Sequence, residues 1–478
     1  MTLFSTTRSP TEGSSARLGV LLGRSATPCL VRALAHGGDR YFLPRSRDRK
    51  RKRSTYFDED KSATSDAHEE PHRDTGAAAD VVSIDLATAA VLQDLPLETI
   101  CPALPRSDSK DSEVSGGEAS RRPACAFFGH GQDDSRVVVL TCRDTTLDNG
   151  SLHGQGAKGT TVNTSKGFKT VDGARYGAIV NHFRPHIACG LALAPSGHAG
   201  SKRLRKTVDG TSQLFQQFLN ARVVGASSGI RKSGVEGSTA GTNDSGRGTA
   251  SETVTRTSIA ATNDDGVETA IFAPIVGGAD MRERLRSLDG MLKIRDCAPE
   301  GYLLAGFSQG ETRSQRKKLL GALVQRLPTS APRMYECAVN PVDVLHAVQA
   351  GMDMIACSFP DDLTRACCAA TFRVDMEARR SADPDDGEEE SGGAGLTAGK
   401  MCLRDQIYRR DLRPMVAGCT CYACENHTRA YIHHLVTVHE IMGKALLDAH
   451  NWHHAQRFAR EIRERIATET LDAYVATF

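Results

Sequence analysis

Tryptophan occurs once in 478 residues, and aromatic residues make up only 5% of the chain. The hydrophobic share is 39%, too little to pack every segment into a core. A globular body interrupted by segments that bury nothing is therefore expected. No stretch approaches the ~18 consecutive apolar residues of a membrane span, so the sequence offers no transmembrane segment. Neither sign of charge dominates: 60 basic and 58 acidic residues leave a net charge of +2, which names no partner. There is no secretory signal pattern. Fourteen cysteines, mostly scattered, point to a reducing compartment and exclude a disulfide framework. The first 36 residues hold four arginines and a single acid, Glu12, a composition shared with mitochondrial transit peptides.

Local composition is more informative. "RSRDRKRKRS" (Arg45–Ser54) carries seven basic residues and one acid, and "ADPDDGEEE" (Ala382–Glu390) carries six acids. Both read first as solvated loops. The basic run also fits a nuclear signal or an RNA-contacting loop. Segments 45–80, 105–122, 145–168, 225–268 and 381–399 are rich in Ser, Gly, Asp or charge and read as inserts. Between them runs a strand-then-helix rhythm. "HIACGLALA" precedes "TSQLFQQFLNARV", "AIFAPIV" precedes "GADMRERLRSLDGML", and "GYLLAGF" precedes "TRSQRKKLLGALVQRL". "RMYECAV" then precedes "PVDVLHAVQAG", and "MDMIACSF" follows. Strands separated by helices of this length mean a parallel sheet, either a barrel or a doubly wound sheet.

The densest chemistry lies in "GCTCYACENHTRAYIHHLVTVHEIMGKALLDAHNWHH", residues 418–454. Cys419, Cys421 and Cys424 form C-x-C-x2-C, three soft thiolate ligands in one tight loop, suited to Zn(II). The spacing alone leaves the fourth ligand open. His427 is nearest. A single helix from His427 to His450 would part its ends by roughly 34 Å, so His450 reaches the thiols only if the chain doubles back. The β-branched break "VTV" (Val436–Val438) offers that turn, giving a helical hairpin of about 427–435 and 439–454. Three thiolates and one imidazole fill a tetrahedron and leave no position for water, which makes the metal structural. His433, His434, His453 and His454 receive no role.

"GCTCYACENHTRAYIHHL…HN" resembles the zinc signature of the tRNA-guanine transglycosylases, which exchange guanine in a tRNA anticodon for queuine or its precursor. The resemblance implies an irregular (β/α)8 barrel over residues 1–400 and a zinc-binding subdomain over 401–478. It also selects Cys419, Cys421, Cys424 and His450, with one zinc per subunit, over His427. Upstream, "RLRKTVDGTSQLFQQFLNAR" is similar to the family's Lys/Arg-Ser-Val-Asp helix. "FAPIVGGADMRERLR" resembles its V-Q-G-G turn, "GYLLAGFSQGE" its G-G-L-x-x-G-E turn, and "RLGVLLG…TPCLVRALAHGG" its N-terminal hairpin. That last likeness argues against a cleaved transit peptide.

Departures from the family pattern fall on the reaction. Active members place a nucleophilic Asp in F-D-C-V-x-P-T-R; here the stretch is "MIACSFPDD" and the position is Ala356. A methyl group cannot attack the ribose. Asp361 and Asp362 lie beyond Pro360. The second acid of the family is replaced by Leu193 and the base-contacting Gln by Val276, and S-D-S-G-G-F-Q is absent. Gly306 and Glu311 of the glycine turn remain. The resemblance is thus to a non-catalytic branch, expected to pair with a catalytic transglycosylase subunit as a heterodimer and to help it hold tRNA at the wobble guanine of GUN anticodons. It also leaves self-association open. The implied location is cytoplasmic, with association at the mitochondrial outer membrane or a nuclear fraction as alternatives. Arg205, Lys206, Lys317 and Lys318 are the candidate RNA contacts, against a reading as solvated helix faces. Rival readings are an active enzyme using Asp361 or another acid, and a stand-alone zinc-dependent RNA-binding module.

Overall fold

The computed structural model of the protein describes residues 4–8, 15–21, 25–34, 81–86, 89, 137–142, 158–164, 167–193, 199–227, 269–294, 298–375 and 399–478. The basic run at 45–54, the acidic run at 382–390 and the segments 45–80 and 105–122 lie outside the described residues. So does 225–268 apart from its first three positions, and 381–399 apart from Gly399.

Strands β1 (Phe4–Arg8), β2 (Leu18–Leu21) and β3 (Ser25–Thr27) form a small antiparallel sheet. They are followed by β4 (Cys29–Leu34), β5 (Val81–Asp85) and β6 (Val137–Thr141). A hairpin of β7 (Thr160–Thr164) and β8 (Gly167–Val171) comes next. Then come β9 (Ile187–Cys189), β10 (Ala270–Ile275), β11 (Gly301–Leu304), β12 (Arg333–Ala338) and β13 (Met354–Cys357). Strands β4, β5, β6, β9, β10, β11, β12 and β13 pair in parallel in that order, and β13 pairs back onto β4. The result is a closed eight-stranded barrel, not an open doubly wound sheet.

Alternation along these strands builds two cores. Cys29, Val31, Val81, Val137, Val139, Ile187, Phe272, Leu303, Met334, Met354 and Ala356 fill the interior. Their neighbours Val82, Val138, Ala188, Ile271, Leu304, Tyr335 and Ile355 face outward beneath the helices. Strands buried on both faces read as continuous apolar runs. This is why "VVVLT" is a central strand although it carries no period-two pattern. The helices on the outside are Gly173–Phe183, Ser201–Ser227, Met281–Leu292, Arg313–Val324, Pro341–Gln349 and Phe359–Arg365. Local chemistry starts several of them. Asp172 and Asp280 accept from their first-turn amides, Thr312 and Gln315 form a capping box, and Asn340 caps a helix with Pro341 in its first turn.

Three expectations are corrected. β2 pairs with β1 and with β3, while "CLVRAL" leaves that sheet to become barrel strand β4, paired in parallel with β13 and β5. Segment 145–168 is not wholly an insert, since β7 and the start of β8 fall within it. β-Branched Thr and Val suit paired strands, and Thr161 and Thr170 hydroxyls meet across the hairpin at 3.2 Å. A boundary between 400 and 401 cuts through β15 (Lys400–Cys402), which pairs with β14 (Cys368–Ala370) on the other side of the acidic insert.

The C-terminal unit continues through a 3-10 turn (Gln406–Arg410) and helices Tyr422–Asn426, Arg429–Thr437, Ile441–Ala467 and Leu471–Val475. It has its own core, in which Leu403, Met415, Ile432, Leu435, Leu446 and Leu447 surround the cysteine loop. Helix Ile441–Ala467 lies against helix Phe359–Arg365 and against β4, covering the barrel where β13 meets β4. Arg32 on β4 pairs with Asp448 at 2.6 Å, and Arg463 donates to the Pro28 carbonyl at 3.0 Å.

The N-terminal end of the barrel strands rests on a buried ion pair. Asp353 accepts from Arg17 at 2.8 and 2.6 Å and from the Arg333 amide at 2.8 Å. Arg17 also donates to the carbonyls of Thr329 and Ala331. Burial lifts the Asp353 carboxyl against the pull of Arg17, so the charged form depends on these donors. Arg17→Ala is expected to lower unfolding free energy by about 3–5 kcal/mol, since it strands a buried carboxylate. Denaturant titration checks this, and Arg17→Lys should recover part of the loss.

Candidate metal centre

The cysteine loop is shaped before any metal is considered. Arg429, first residue of its helix, ties the preceding chain by donating to Asp411 at 3.0 Å and to the carbonyls of Pro414 and Met415 at 2.9 and 3.1 Å. Asp411, held also by Arg413, stays well below the usual carboxylate range. Gly418 then turns with φ of 70°, a left-handed conformation open to glycine. Cys421 caps helix Tyr422–Asn426, its Sγ accepting from the Cys424 amide at 3.3 Å. One turn of helix thus sets Cys421 and Cys424 on the same side, with Cys419 just outside it.

The distal histidine returns as the hairpin reading requires. Helix Arg429–Thr437 ends at Val438, and His439 takes φ of 60°. Gly443 lets the returning helix come close, since a Cβ there would lie 3.0 Å from Leu435 and Val436 side chains. The second helix runs to Ala467, well beyond the expected 454. His450, fully buried, points Nδ1 at the three thiols, 3.8 Å from Cys419, 3.5 Å from Cys421 and 3.3 Å from Cys424. All four donor atoms lie within 4.8 Å of one another and can hold a metal ion. Nε2 of His450 donates to the Ala370 carbonyl at 2.9 Å, which leaves the Nδ1 lone pair directed at the cluster. Asn451 fixes the same strand, accepting from the Ala370 amide at 2.8 Å and donating to Cys368 O and Thr364 Oγ1 at 3.0 Å.

The electrostatics favour a cation. Contact with the other two thiols pushes Cys419 down toward thiolate, while Cys419 and Cys424 push Cys421 up. One charge forms readily and then opposes the next. A bound cation removes that opposition. Burial works against an imidazolium at His450, yet Cys419 and Cys424 outweigh it and lift the group to about 9. A metal ion held there would take the place of that proton.

The remaining histidines are accounted for. His427 stacks on Tyr431 at 5.1 Å and sits edge-on to Tyr422. His433 is buried with Nδ1 2.8 Å from Leu403 O, and His434 is exposed. His454 bonds the Phe372 carbonyl at 2.8 Å, and His453 approaches Thr420.

At the C-terminal end of the barrel, Val276 and Ala356 lie in the interior core. Leu193 faces the outer core instead, and Ala192 beside it faces inward; either side chain is apolar. Asp361 is buried within helix Phe359–Arg365, and Asp362 pairs with Arg365. Glu311 accepts from the amides of Ser308 and Gln309 and from Arg316, so it holds the turn. Arg284, which the sequence reading passed over, is fully buried. It donates to the carbonyls of Ile275, Gly278, Ala305 and Gly306 and lies 3.7 Å from the Phe307 ring centroid. Burial lowers it to about 10. Gly277 is required there, since a Cβ would meet the Arg284 amide at 2.6 Å. Glu336 was also passed over; it is buried on β12, on the same side as Met334. Arg205, Lys206, Lys317 and Lys318 are all exposed, near the starts of helices Ser201–Ser227 and Arg313–Val324.

The queuine tRNA-ribosyltransferase family model matches residues 149–478, more than half of the chain. The chain belongs to this family. Within the family it is 33% identical over 224 residues to the queuine tRNA-ribosyltransferase accessory subunit 2 of Homo sapiens, covering 43% of this chain and 52% of that one. The accessory subunit 2 of Drosophila grimshawi is 29% identical over 323 residues, 65% of this chain and 62% of the relative. A queuine tRNA-ribosyltransferase of Thioalkalivibrio sulfidiphilus is 32% identical over 209 residues, 44% and 49% of the two chains. The chain thus spans about half the length of the curated relatives it matches.

The four-donor geometry makes a direct test. Purified protein is expected to carry metal that Cys421→Ser and His450→Ala lose and His427→Ala keeps, read by elemental analysis beside protein concentration. Acid should release it as protons compete for the thiolates. Metal lost from His427→Ala but kept in His450→Ala would overturn the assignment.

Proposed function

We propose that this chain is a non-catalytic subunit that assembles with a catalytic queuine tRNA-ribosyltransferase subunit and helps it hold tRNA. The observation that carries the reading is the contrast between two sites. Ala356, at the position of the family's nucleophile, is a buried methyl group among other apolar side chains at the barrel end, while the metal cluster keeps all four donors. A barrel without a nucleophile cannot form the covalent tRNA intermediate. A complete metal unit still offers a shaped surface.

Zn(II), one per subunit and structural, fits the donor set best. Bond lengths of about 2.3 Å to sulfur and 2.0–2.1 Å to nitrogen put tetrahedral S···N edges near 3.6 Å, against the observed 3.3, 3.5 and 3.8 Å. With three thiolates and an imidazole the shell is full, so the ion acts on shape. Partner binding is supported by the apolar surface of this unit. Of eight large hydrophobic residues exposed among the described residues, six belong to it: Ile407, Leu412, Tyr431, Val438, Ile441 and Met442. Ile441 is 76% exposed and Leu412 77%, values that suit residues covered by another chain. Arg205, Lys206, Lys317 and Lys318 are exposed on helices Ser201–Ser227 and Arg313–Val324, and exposed cations of this kind suit a tRNA backbone. No described helix is long and apolar enough to cross a membrane; a cytoplasmic location is part of the proposal.

Labelled-guanine exchange tests the proposal. The chain alone is expected to be inactive, and Ala356→Asp should remain so because Val276 and the side chains beside it are apolar. Exchange should appear on adding the catalytic subunit. Ile441→Asp should weaken that assembly by about tenfold or more without loss of metal, and charge reversal at Lys317 and Lys318 should weaken tRNA binding and flatten its salt dependence. Robust exchange by the isolated chain would instead support an enzyme using Asp361 or another acid. RNA binding with no affinity for the catalytic subunit would support a stand-alone module.

A further inference from the structure

The β14–β15 ladder brings two further thiols together outside the metal cluster. Cys368 stands in register with Cys402. The flanking amides show which kind of position this is. Leu403 N donates to Cys367 O at 3.0 Å, and Thr371 N donates to Gly399 O at 2.8 Å. Bonded and non-bonded pairs alternate along an antiparallel ladder, so Cys368 and Cys402 form a non-hydrogen-bonded pair. Opposed Cα atoms at such a position are about 4.5 Å apart, inside the range a disulfide spans.

Residues directly opposed on such a ladder put their side chains on the same face, so the two thiols share one face. Burial first, and Cys402 beside it next, push the Cys368 thiol up to about 12. Cys402 is only half-buried, whereas Cys368 is covered. Positive charge is at hand on the same stretch. Exposed Arg404 contacts Cys367 and feels both Cys402 and Cys368, and Lys400 lies beside Cys368.

We propose that Cys368 and Cys402 are a reversible thiol–disulfide pair that responds to peroxide. The thiolate of Cys402, the more accessible sulfur, attacks hydrogen peroxide. The O–O bond breaks, hydroxide leaves and takes up the proton that Cys402 gave up on ionising to become water, and Cys402 becomes a sulfenic acid. The Cys368 sulfur then attacks the sulfenic sulfur and its proton departs with the hydroxyl as a second water. Two thiols and one peroxide give one disulfide and two waters, and a small dithiol reverses the change by exchange. The bond pins β14, whose Ala370 carbonyl and Cys368 carbonyl hold His450 and Asn451. Oxidation therefore stiffens the anchor of the returning helix.

The experiment uses the full chain. After brief treatment with a few equivalents of hydrogen peroxide, remaining thiols are alkylated and a non-reduced digest is analysed by mass spectrometry. A peptide pair joined between Cys368 and Cys402, two hydrogens lighter than its parts and separated again by dithiothreitol, is expected. The link should persist in Cys367→Ala and vanish in Cys368→Ala. In the oxidised chain the amides of Leu403 and Thr371 should exchange at least about fivefold more slowly, as local opening is suppressed. Cys402 carried on to sulfinic acid while Cys368 remains alkylatable would overturn the proposal, as would a link through Cys367. A link that leaves both amides exchanging as before would overturn the stiffening.

Discussion

One helix, Ile441–Ala467, carries two obligations. Its middle delivers His450 to the thiols, and its length covers the barrel where β13 meets β4. Asp448 reaches Arg32 on a barrel strand, two residues from the histidine that faces the metal cluster. Asn451, the next residue, bonds Cys368 O, Thr364 Oγ1 and the Ala370 amide. The fourth ligand is therefore positioned by the barrel as much as by the cysteine loop. A metal site built this way reports on the packing of the whole body, because a shift of the helix along the barrel moves His450 out of reach.

The barrel end shows the complementary case. Arg284 directs its guanidinium at four carbonyls around the glycine turns, and Glu311 gathers two amides and Arg316. The polar groups kept there serve the backbone. Beside them, Ala356 and Val276 present a methyl and an isopropyl group within the interior core.

Much of this was legible in the sequence, and for stated reasons. The C-x-C-x2-C loop follows from ligand chemistry, and helix geometry allows a hairpin that returns His450, but the choice of His450 over His427 came with the family resemblance. The strand-helix rhythm from residue 186 onward follows from period and caps such as Asp280 and Thr312. What escaped lacks a local signature. "VVVLT" is buried on both faces and so does not alternate. The β7–β8 hairpin is Thr- and Gly-rich and resembles a loop by composition. Helix Gly173–Phe183 hides behind two internal glycines, one of which, Gly177, lets Phe218 and Ala221 of the neighbouring helix approach. Burial of Arg284 and Glu336 is a tertiary fact that no spacing announces. The barrel rather than the open sheet was decided by β13 pairing with β4, a contact between residues more than three hundred positions apart.

The β14–β15 ladder has a consequence for chain length. Thr371 and Phe372 amides both bond Gly399 O, so the two ends of the acidic segment leave the body side by side. Closing a longer loop between fixed ends costs only slowly more, about 0.6 kcal/mol per doubling. A peptide tag or small domain whose termini lie close together, placed between Asp375 and Gly399, would therefore leave from and return to neighbouring points on the body, next to the register of Cys368 with Cys402.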